Sequence, residues 1–199
     1  LEEKIMCGIV GGVTERNVVP ILVEGLKRLE YRGYDSAGIA FQEQKKIALI
    51  KSLGRVQDLE NKLNKNTSST AGIAHTRWAT HGIPSEKNAH PHASNKNIYV
   101  VHNGIIENHE DLKSELKSEG FKLYSQTDSE VIGHLIEFYK QRGMDFDSSV
   151  MKAISRLKGA YALAIIDKNE PETLIGVRQS SPLVVGEGFD ENFLASDIM

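Results

Sequence analysis

Five segments of the chain place apolar residues three and four positions apart, the spacing that gathers them on one face of a helix. The first helix is predicted to begin at Pro20 and to be closed by Gly33, and the second passes into a polar loop at residues 64–70. The apolar stripes are Ile21, Leu22, Leu26 and Leu29; Val56, Leu59 and Leu63; Leu112 and Leu116; Val131, Ile132, Leu135, Ile136 and Tyr139; and Val150, Ile154 and Leu157.

Local polar residues predict where two of these helices begin. Asn108 is expected to cap the third helix, which ends near Gly120. Thr127 and Glu130 have the spacing of a capping box, so the fourth helix is predicted to open at Thr127 and to carry Asp128 in its first turn.

Short apolar, β-branched runs bounded by turn residues predict strands. The first is Ile9 and Val10, which Gly11 and Gly12 should end in a turn, and it places Cys7 at the start of a fixed element. The other predicted strands lie at residues 72–76, 98–102, 160–166, 173–177, 183–185 and 193–195. Because strands occur in groups with helices between the groups, we expect a single layered α+β domain.

Composition narrows the classes of function. The net charge of -3 comes from 24 basic and 27 acidic residues mixed along the chain, so nucleic acid is not an expected partner. Apolar runs such as residues 160–166 are far shorter than the roughly 20 residues that span a bilayer, so no membrane partner is expected. The first five residues are mostly charged, unlike a secretory signal, which favours a cytoplasmic location.

The single cysteine, Cys7, has two interpretations. A lone cysteine is usually a small buried spacer. However, Cys7 follows a methionine, and cleavage between the two would leave an α-amine with a pKa of about 8 beside the thiol. Such an amine can take the thiol proton, which would make Cys7 a self-contained nucleophile and base.

The segment at residues 75–82, directly after a predicted strand, contains Arg77, two threonines and the only tryptophan, Trp78. A solvated surface arginine is the ordinary interpretation of Arg77 alone, but a guanidinium fork also suits a carboxylate ligand, and the whole segment favours a site. The nearby histidines, including His90 and His92, lack the thiolate or carboxylate partners of a zinc motif, so no metal is expected.

Three further residues have alternative interpretations. Asn103 and Gly104 are either a hairpin turn or a pair of donors for an oxyanion. Asp128 either favours a helix N-terminus or faces a substrate ammonium group. A carboxylate-binding fork, an acid, an oxyanion hole and a thiol together suit an amino acid with a carbonyl side chain. Glutamine is the obvious candidate, although spacing alone does not select it.

Several motifs, in order along nearly the whole chain, resemble the class II glutamine amidotransferases. The motifs are CGIVG at 7–11, LEYRGYDSAG at 29–38, HTRWATHG at 75–82, NAHPH at 88–92, HNGIIEN at 102–108 and TDSE at 127–130. Within that family, residues 31–36 and 102–108 look like the branch that makes glucosamine 6-phosphate from fructose 6-phosphate.

The resemblance implies an N-terminal nucleophile fold, a four-layer αββα sandwich. It implies that Cys7 attacks the glutamine amide to form a glutamyl thioester and release ammonia, with its α-amine as base. It also implies that Asn103 and the backbone of Gly104 hold the oxyanion. No cofactor is implied.

The resemblance also implies a set of substrate-binding residues. Arg77, helped by Thr80 and His81, would bind the carboxylate of L-glutamine, and Asp128 would pair with its amino group. Trp78 matches a residue that gates the passage of ammonia toward the synthase domain.

The chain departs from the family pattern at both ends. Residues 1–6 precede Cys7 and are expected to be a removed segment, a start-site artefact or a tag, because an amide nitrogen has no useful basicity. Residues 7–199 are expected to form the glutaminase domain without its last part, and the sugar-phosphate isomerase domain, which would bind fructose 6-phosphate, is expected to be absent. The full-length enzyme is expected to be a homo-oligomer.

Two alternatives remain. One is a glutaminase domain that serves a different acceptor. The other is a glutamine-binding module in which a blocked Cys7 does not react.

Overall fold

The computed structural model describes residues 7–78 and 82–198, and these residues form ten strands and five α-helices. The strands are β1 Gly8–Thr14, β2 Ser36–Glu43, β3 Lys46–Leu53, β4 Ala71–Arg77, β5 His92–Ser94, β6 Ile98–Ile106, β7 Gly159–Asp167, β8 Glu170–Gln179, β9 Val184–Gly188 and β10 Glu191–Ala195. The helices are α1 Val19–Leu29, α2 Val56–Lys62, α3 His109–Ser118, α4 Glu130–Lys140 and α5 Phe146–Ile154, with a 3-10 turn at Glu30–Arg32.

Two antiparallel sheets pack face to face. The first has the strand order β3-β2-β4-β1-β10-β9, and the second has the order β5-β6-β7-β8. Helices α1 and α2 cover the outer face of the first sheet, and α3, α4 and α5 cover that of the second. The predicted four-layer αββα sandwich of the N-terminal nucleophile type is therefore confirmed.

Three apolar cores hold the layers together. The middle core, between the sheets, includes Ile9, Ile73, Val101 and Ala162. Because helices or another sheet cover both faces, the central strands are apolar on both sides, and seven consecutive residues of β7, 161–167, are buried. None of the helices in the described part of the chain is both long and apolar enough to cross a bilayer.

All five predicted helices and all the predicted strands are confirmed, with small shifts at their ends. Strands β2 and β3 were not predicted. β2 contains Ala37, Gly38 and Ala40, small residues that weaken the strand signal but allow close packing. The two strands form a hairpin whose turn includes Gln44 at a φ of 57°.

The predicted turn at Gly11 and Gly12 is wrong, because both residues lie inside β1. A Cβ atom on Gly12 would lie 2.9 Å from both Phe193 and Val18 side-chain carbons. A Cβ atom on Gly11 would lie 3.1 Å from Leu174. These glycines therefore allow neighbouring side chains to approach the strand and do not end it.

The predicted helix caps are also corrected. Helix α4 begins at Glu130, so Asp128 precedes the helix, and no capping box forms with Thr127. The carboxylate of Glu130 instead accepts hydrogen bonds from the backbone N–H groups of Tyr124 and Ser125. Asn108 is at the N-cap of α3, but its side chain bonds to the backbone of residues 156 and 158. Asn108 and Thr127, whose Oγ1 lies 3.1 Å from Nε2 of His92, both bond to distant parts of the chain, and Glu130 bonds to the loop that precedes its helix.

Gly38 on β2 allows a test of how closely the first sheet packs against the backbone of His90. A Cβ atom there would lie 2.0 Å from the carbonyl oxygen of His90, a backbone atom that cannot rotate away. We expect Gly38→Ala to lower the free energy of unfolding by about 3 kcal/mol, as in overpacked cores. Gly186→Ala is the matched strand control, since its new methyl would meet only a Phe193 carbon at 3.9 Å. Urea denaturation checks both; an equal effect of the two variants would contradict this account.

Candidate active site

Cys7 lies immediately before β1, next to the end of β4. Gly8 pairs with Thr76 in the sheet, and the Gly8 N–H donates to the Thr76 Oγ1 at 3.1 Å. The backbone N–H of Trp78 donates to the Cys7 sulfur at 3.2 Å. The half-buried thiol is therefore held at the point where the predicted segment at residues 75–82 leaves the sheet.

Burial raises the pKa of the Cys7 thiol above its ordinary value. The hydrogen bond from Trp78 and the positive charge of Arg77 lower that pKa, but they offset only part of the rise, and the charge of Asp35 adds to it. The thiol is consequently protonated at neutral pH, and its use as a nucleophile requires a base.

Asn103 and Gly104 lie within β6, so the hairpin-turn interpretation is wrong. Asn103 Nδ2 donates to the carbonyl oxygen of Cys7 at 2.9 Å, and its Oδ1 lies 3.0 Å from Nε2 of His75. Gly104 has a φ of 121°, and a Cβ atom there would lie 2.0 Å from the carbonyl oxygen of Ala160. Only glycine fits at this position.

Asp128 is buried and joins the loop before α4 to the end of β6. Its Oδ2 accepts from the backbone N–H of Ile106 at 2.7 Å, and Ser129 Oγ donates to its Oδ1 at 3.3 Å. Ser129 Oγ also lies 2.8 Å from Nδ1 of His102, the residue before Asn103. The carboxylate is thus fixed to the strand that carries Asn103.

Arg77 is 3% exposed, so the surface-arginine interpretation is wrong. Its guanidinium donates to the carbonyl oxygens of Gly82 at 3.0 Å and Ile83 at 3.5 Å. Its Nη1 lies 3.7 Å from the Asp35 carboxylate. Trp78, in contrast, is 43% exposed. The predicted residues Thr80 and His81, and residues 1–6, lie outside the described residues.

A cluster of buried imidazoles adjoins Asn103 through His75. The rings of His75 and His90 are 4.3 Å apart, and those of His90 and His92 are 4.6 Å apart. Burial lowers the pKa of His90 and of His92 well below the ordinary value, and it lowers that of His75 to about 3. Within residues 7–78 and 82–198, no group of three or more His, Cys, Asp or Glu side chains is disposed to hold a metal ion.

The structure thus brings Trp78 and Asn103 each into direct contact with Cys7. Sequence reasoning did not single out Asp35, which contacts Arg77, or Ser129, which connects Asp128 to His102. Asp35 lies in the family motif at residues 29–38, which assigned it no role. Ser129 follows the predicted site residue Asp128. No local pattern marks either contact, because each partner is distant in sequence.

Comparisons with known proteins show which family the chain is similar to. Residues 75–199 match the family described as "Glutamine amidotransferase domain". The chain is 54% identical over 194 residues to a protein of Pseudomonas putida and 52% identical over 194 residues to one of Escherichia coli, both named "Glutamine--fructose-6-phosphate aminotransferase [isomerizing]". Each match covers 96% of this chain and 32% of the relative, so the chain spans about a third of their length.

Solved structures show the same fold. A glutamine phosphoribosylpyrophosphate amidotransferase of Bacillus subtilis superimposes with a TM-score of 0.81 at 28% identity, over 96% of this chain and 42% of that one. A glutamine aminotransferase class-II domain protein of Silicibacter pomeroyi superimposes with a TM-score of 0.62 at 17% identity, over 95% of this chain and 88% of that one. The second likeness concerns the fold alone.

The buried histidines predict a loss of stability in acid. His90 stays neutral in the folded chain because its pKa is lowered, whereas in the unfolded chain it takes up a proton below pH of about 6.5. The unfolded state then binds more protons, so the free energy of unfolding falls as pH decreases below that value, by up to about 1.4 kcal/mol per pH unit for this histidine.

His90→Phe should remove this contribution and make the fall between pH 6 and pH 5 shallower by about 1 kcal/mol. Urea denaturation at a series of pH values measures it. Above pH 7 the variant and the parent should run parallel, which serves as the internal control. Equal slopes in acid would contradict the neutral, buried state of His90.

Proposed function

We propose, on the premise that this chain belongs to the glutamine amidotransferase domain family, that it hydrolyses L-glutamine to glutamate and ammonia through a thioester on Cys7. The observation that carries the proposal is the contact between Cys7 and the Asn103 amide at 2.9 Å, made across two sheets by residues 96 positions apart. A nucleophile beside a fixed neutral donor is the arrangement that acyl transfer requires.

In the proposed reaction the sulfur of Cys7 attacks the side-chain carbonyl carbon of glutamine, and the carbonyl oxygen becomes an oxyanion. The Asn103 amide carries two hydrogens; one bonds to the Cys7 carbonyl, and the proposal assigns the other to the oxyanion together with the Gly104 N–H. Collapse of this intermediate breaks the C–N bond and leaves a glutamyl thioester. Water then attacks the thioester and releases glutamate.

The proposed base is the α-amine of Cys7, which exists only when the bond to Met6 has been cleaved. The amine takes the thiol proton and gives it to the departing nitrogen, which leaves as ammonia. The raised pKa of the thiol supports the need for such a base, because little thiolate is present without one. We therefore propose that residues 1–6 are removed in the active form.

Charge supports the proposed positions of the substrate's two ionic groups. Arg77 is buried close enough to the thiol for its charge to act on the Cys7 pKa, and we assign the glutamine carboxylate to it, with Thr80 and His81. Asp128 is held beside the strand of Asn103, and we assign the substrate ammonium group to it. We assign to the exposed Trp78 the gating of ammonia leaving Cys7.

The names of the relatives suggest where the ammonia goes. We propose that residues 7–199 are the glutaminase part of a cytoplasmic, homo-oligomeric enzyme whose sugar-phosphate isomerase domain converts fructose 6-phosphate to glucosamine 6-phosphate. Identity of 54% to an aminotransferase named for fructose 6-phosphate, against 28% to a phosphoribosylpyrophosphate enzyme, favours this acceptor.

A turnover assay tests the glutaminase. Two polypeptides, one beginning at Leu1 and one beginning at Cys7, are incubated with glutamine, and glutamate and ammonia are measured. The shorter polypeptide should turn over, and Cys7→Ala in it should reduce kcat by about 10³-fold or more. The longer one should be inactive until its first six residues are cleaved.

Near-ultraviolet circular dichroism of each variant provides the control for folding. Activity that survives Cys7→Ala would contradict the nucleophile. Full activity of a polypeptide whose intact Leu1 is verified by mass spectrometry would contradict the α-amine as base. Tight glutamine binding without turnover by the shorter polypeptide would instead indicate a binding module.

A further inference from the structure

His75 connects the two sheets directly behind the proposed oxyanion hole. It lies on β4 of the first sheet and is fully buried, and its Nε2 faces β6 of the second sheet. Nε2 lies 3.0 Å from the backbone carbonyl oxygen of His102 and 3.0 Å from Oδ1 of Asn103. The ring therefore contacts the amide group from the side opposite to Cys7.

The partners of this ring determine its tautomer. A backbone carbonyl oxygen can only accept a hydrogen bond, so Nε2 must carry a proton in order to bond to His102. The same N–H then faces Asn103, and the atom of Asn103 nearest to it must be an acceptor. This requirement places the amide oxygen toward His75.

The other end of the amide leads to the same orientation independently. The carbonyl oxygen of Cys7 also only accepts, so the Asn103 atom 2.9 Å from it must be the NH2 group. Turning the amide by 180° would place an N–H against an N–H at His75 and an oxygen against an oxygen at Cys7. Both hydrogen bonds would be lost inside a buried site, where an unpaired polar group costs about 1–3 kcal/mol.

Burial also keeps this ring neutral. It lowers the pKa of His75 to about 3, so His75 does not titrate in the neutral range. The ring of His90 lies next to the ring of His75, with 4.3 Å between their centroids. The donor at Nε2 is therefore present at every pH at which the chain is expected to work.

We propose that His75 is a positioning residue for amide hydrolysis: its Nε2–H holds the Asn103 side chain with the NH2 group toward Cys7 before substrate binds. This inference rests on the proposed role of Asn103 as an oxyanion donor. A donor that is fixed in advance stabilises the transition state without reorganisation, so its loss is expected mainly in kcat.

Two substitutions distinguish the hydrogen bond from the bulk of the ring. His75→Phe keeps a planar ring but has no donor, and His75→Gln restores an N–H donor near the position of Nε2. In the chain beginning at Cys7, we expect His75→Phe to lower kcat for glutamine by about 10- to 100-fold, with KM changed less than about 3-fold. His75→Gln should recover most of that loss.

His134→Gln is the matched control, because His134 is equally buried and hydrogen-bonded, to Ser94 at 2.7 Å, but lies on α4. It should leave kcat within about 3-fold of the parent. Alkylation of Cys7 by iodoacetamide is the control reaction: a sulfur–carbon bond forms, iodide leaves, and no oxyanion develops. Its rate should be unchanged in both His75 variants.

The outcomes separate the inference from the proposed function. An inactive parent chain would overturn the proposed function and the inference with it. In an active parent, undiminished kcat in His75→Phe, an increase confined to KM, or a parallel fall in the iodoacetamide rate would overturn the inference alone. Nitrogen-15 NMR of the parent should show His75 protonated at Nε2 only, and the opposite tautomer would likewise overturn it.

Discussion

The geometry of the site depends on the side-chain amide of Asn103, which makes a polar connection between the two sheets. It reaches from the second sheet to two groups of the first, the carbonyl of Cys7 and the ring of His75. The surrounding intersheet core is apolar, so an unpaired amide there would cost about 1–3 kcal/mol. Satisfying both ends of the amide therefore fixes how the two sheets lie relative to each other at the thiol.

Close packing makes this connection possible. Gly104 follows Asn103 at a φ of 121° where a side chain would collide with Ala160, and Gly38 lets β2 approach the carbonyl of His90. Glycines inside strands usually weaken a sheet. Here they permit backbone contacts that bring the imidazole cluster and the amide behind Cys7, and the stability they give up is offset by three separate apolar cores.

Burial of the site affects the proposed chemistry in two opposite ways. Burial raises the pKa of Cys7 and so disfavours the thiolate, which increases the need for a nearby base. The same exclusion of water strengthens hydrogen bonds from fixed donors to a developing negative charge. The neutral His75 beside Asn103 fits this arrangement, since it supplies a donor without adding a competing charge.

Much of the fold could be predicted from local pattern, and the site could be predicted only in part. The apolar stripes of α1 and α4 are long enough to predict a helix, and the apolar run of β7 predicts a buried strand. The pattern failed at β2, at Gly11 and Gly12, and at the caps Asn108 and Thr127, where tertiary contacts outweighed local preference.

The same limit applies to the candidate site. The sequence left open whether Asn103 and Gly104 form a turn or lie in a strand, because a dipeptide carries no information about its strand partner. The structure pairs them with Ala162 and Tyr161 on β7, so they lie in a strand. The bond from His75 to Asn103 joins two sheets and has no local signature at all. The methionine before Cys7 and its place at a strand start allowed a reactive role, and the family motifs favoured that role over a buried spacer.

Trapping the acyl intermediate tests the central claim most directly. The chain beginning at Cys7 is mixed with glutamine, quenched in acid within milliseconds, and analysed by intact-mass and peptide-mapping mass spectrometry. The account predicts a transient glutamyl group on the Cys7 sulfur that rises before free glutamate and disappears as glutamine is exhausted. Turnover with no adduct at any time, or with an adduct on a residue other than Cys7, would contradict it.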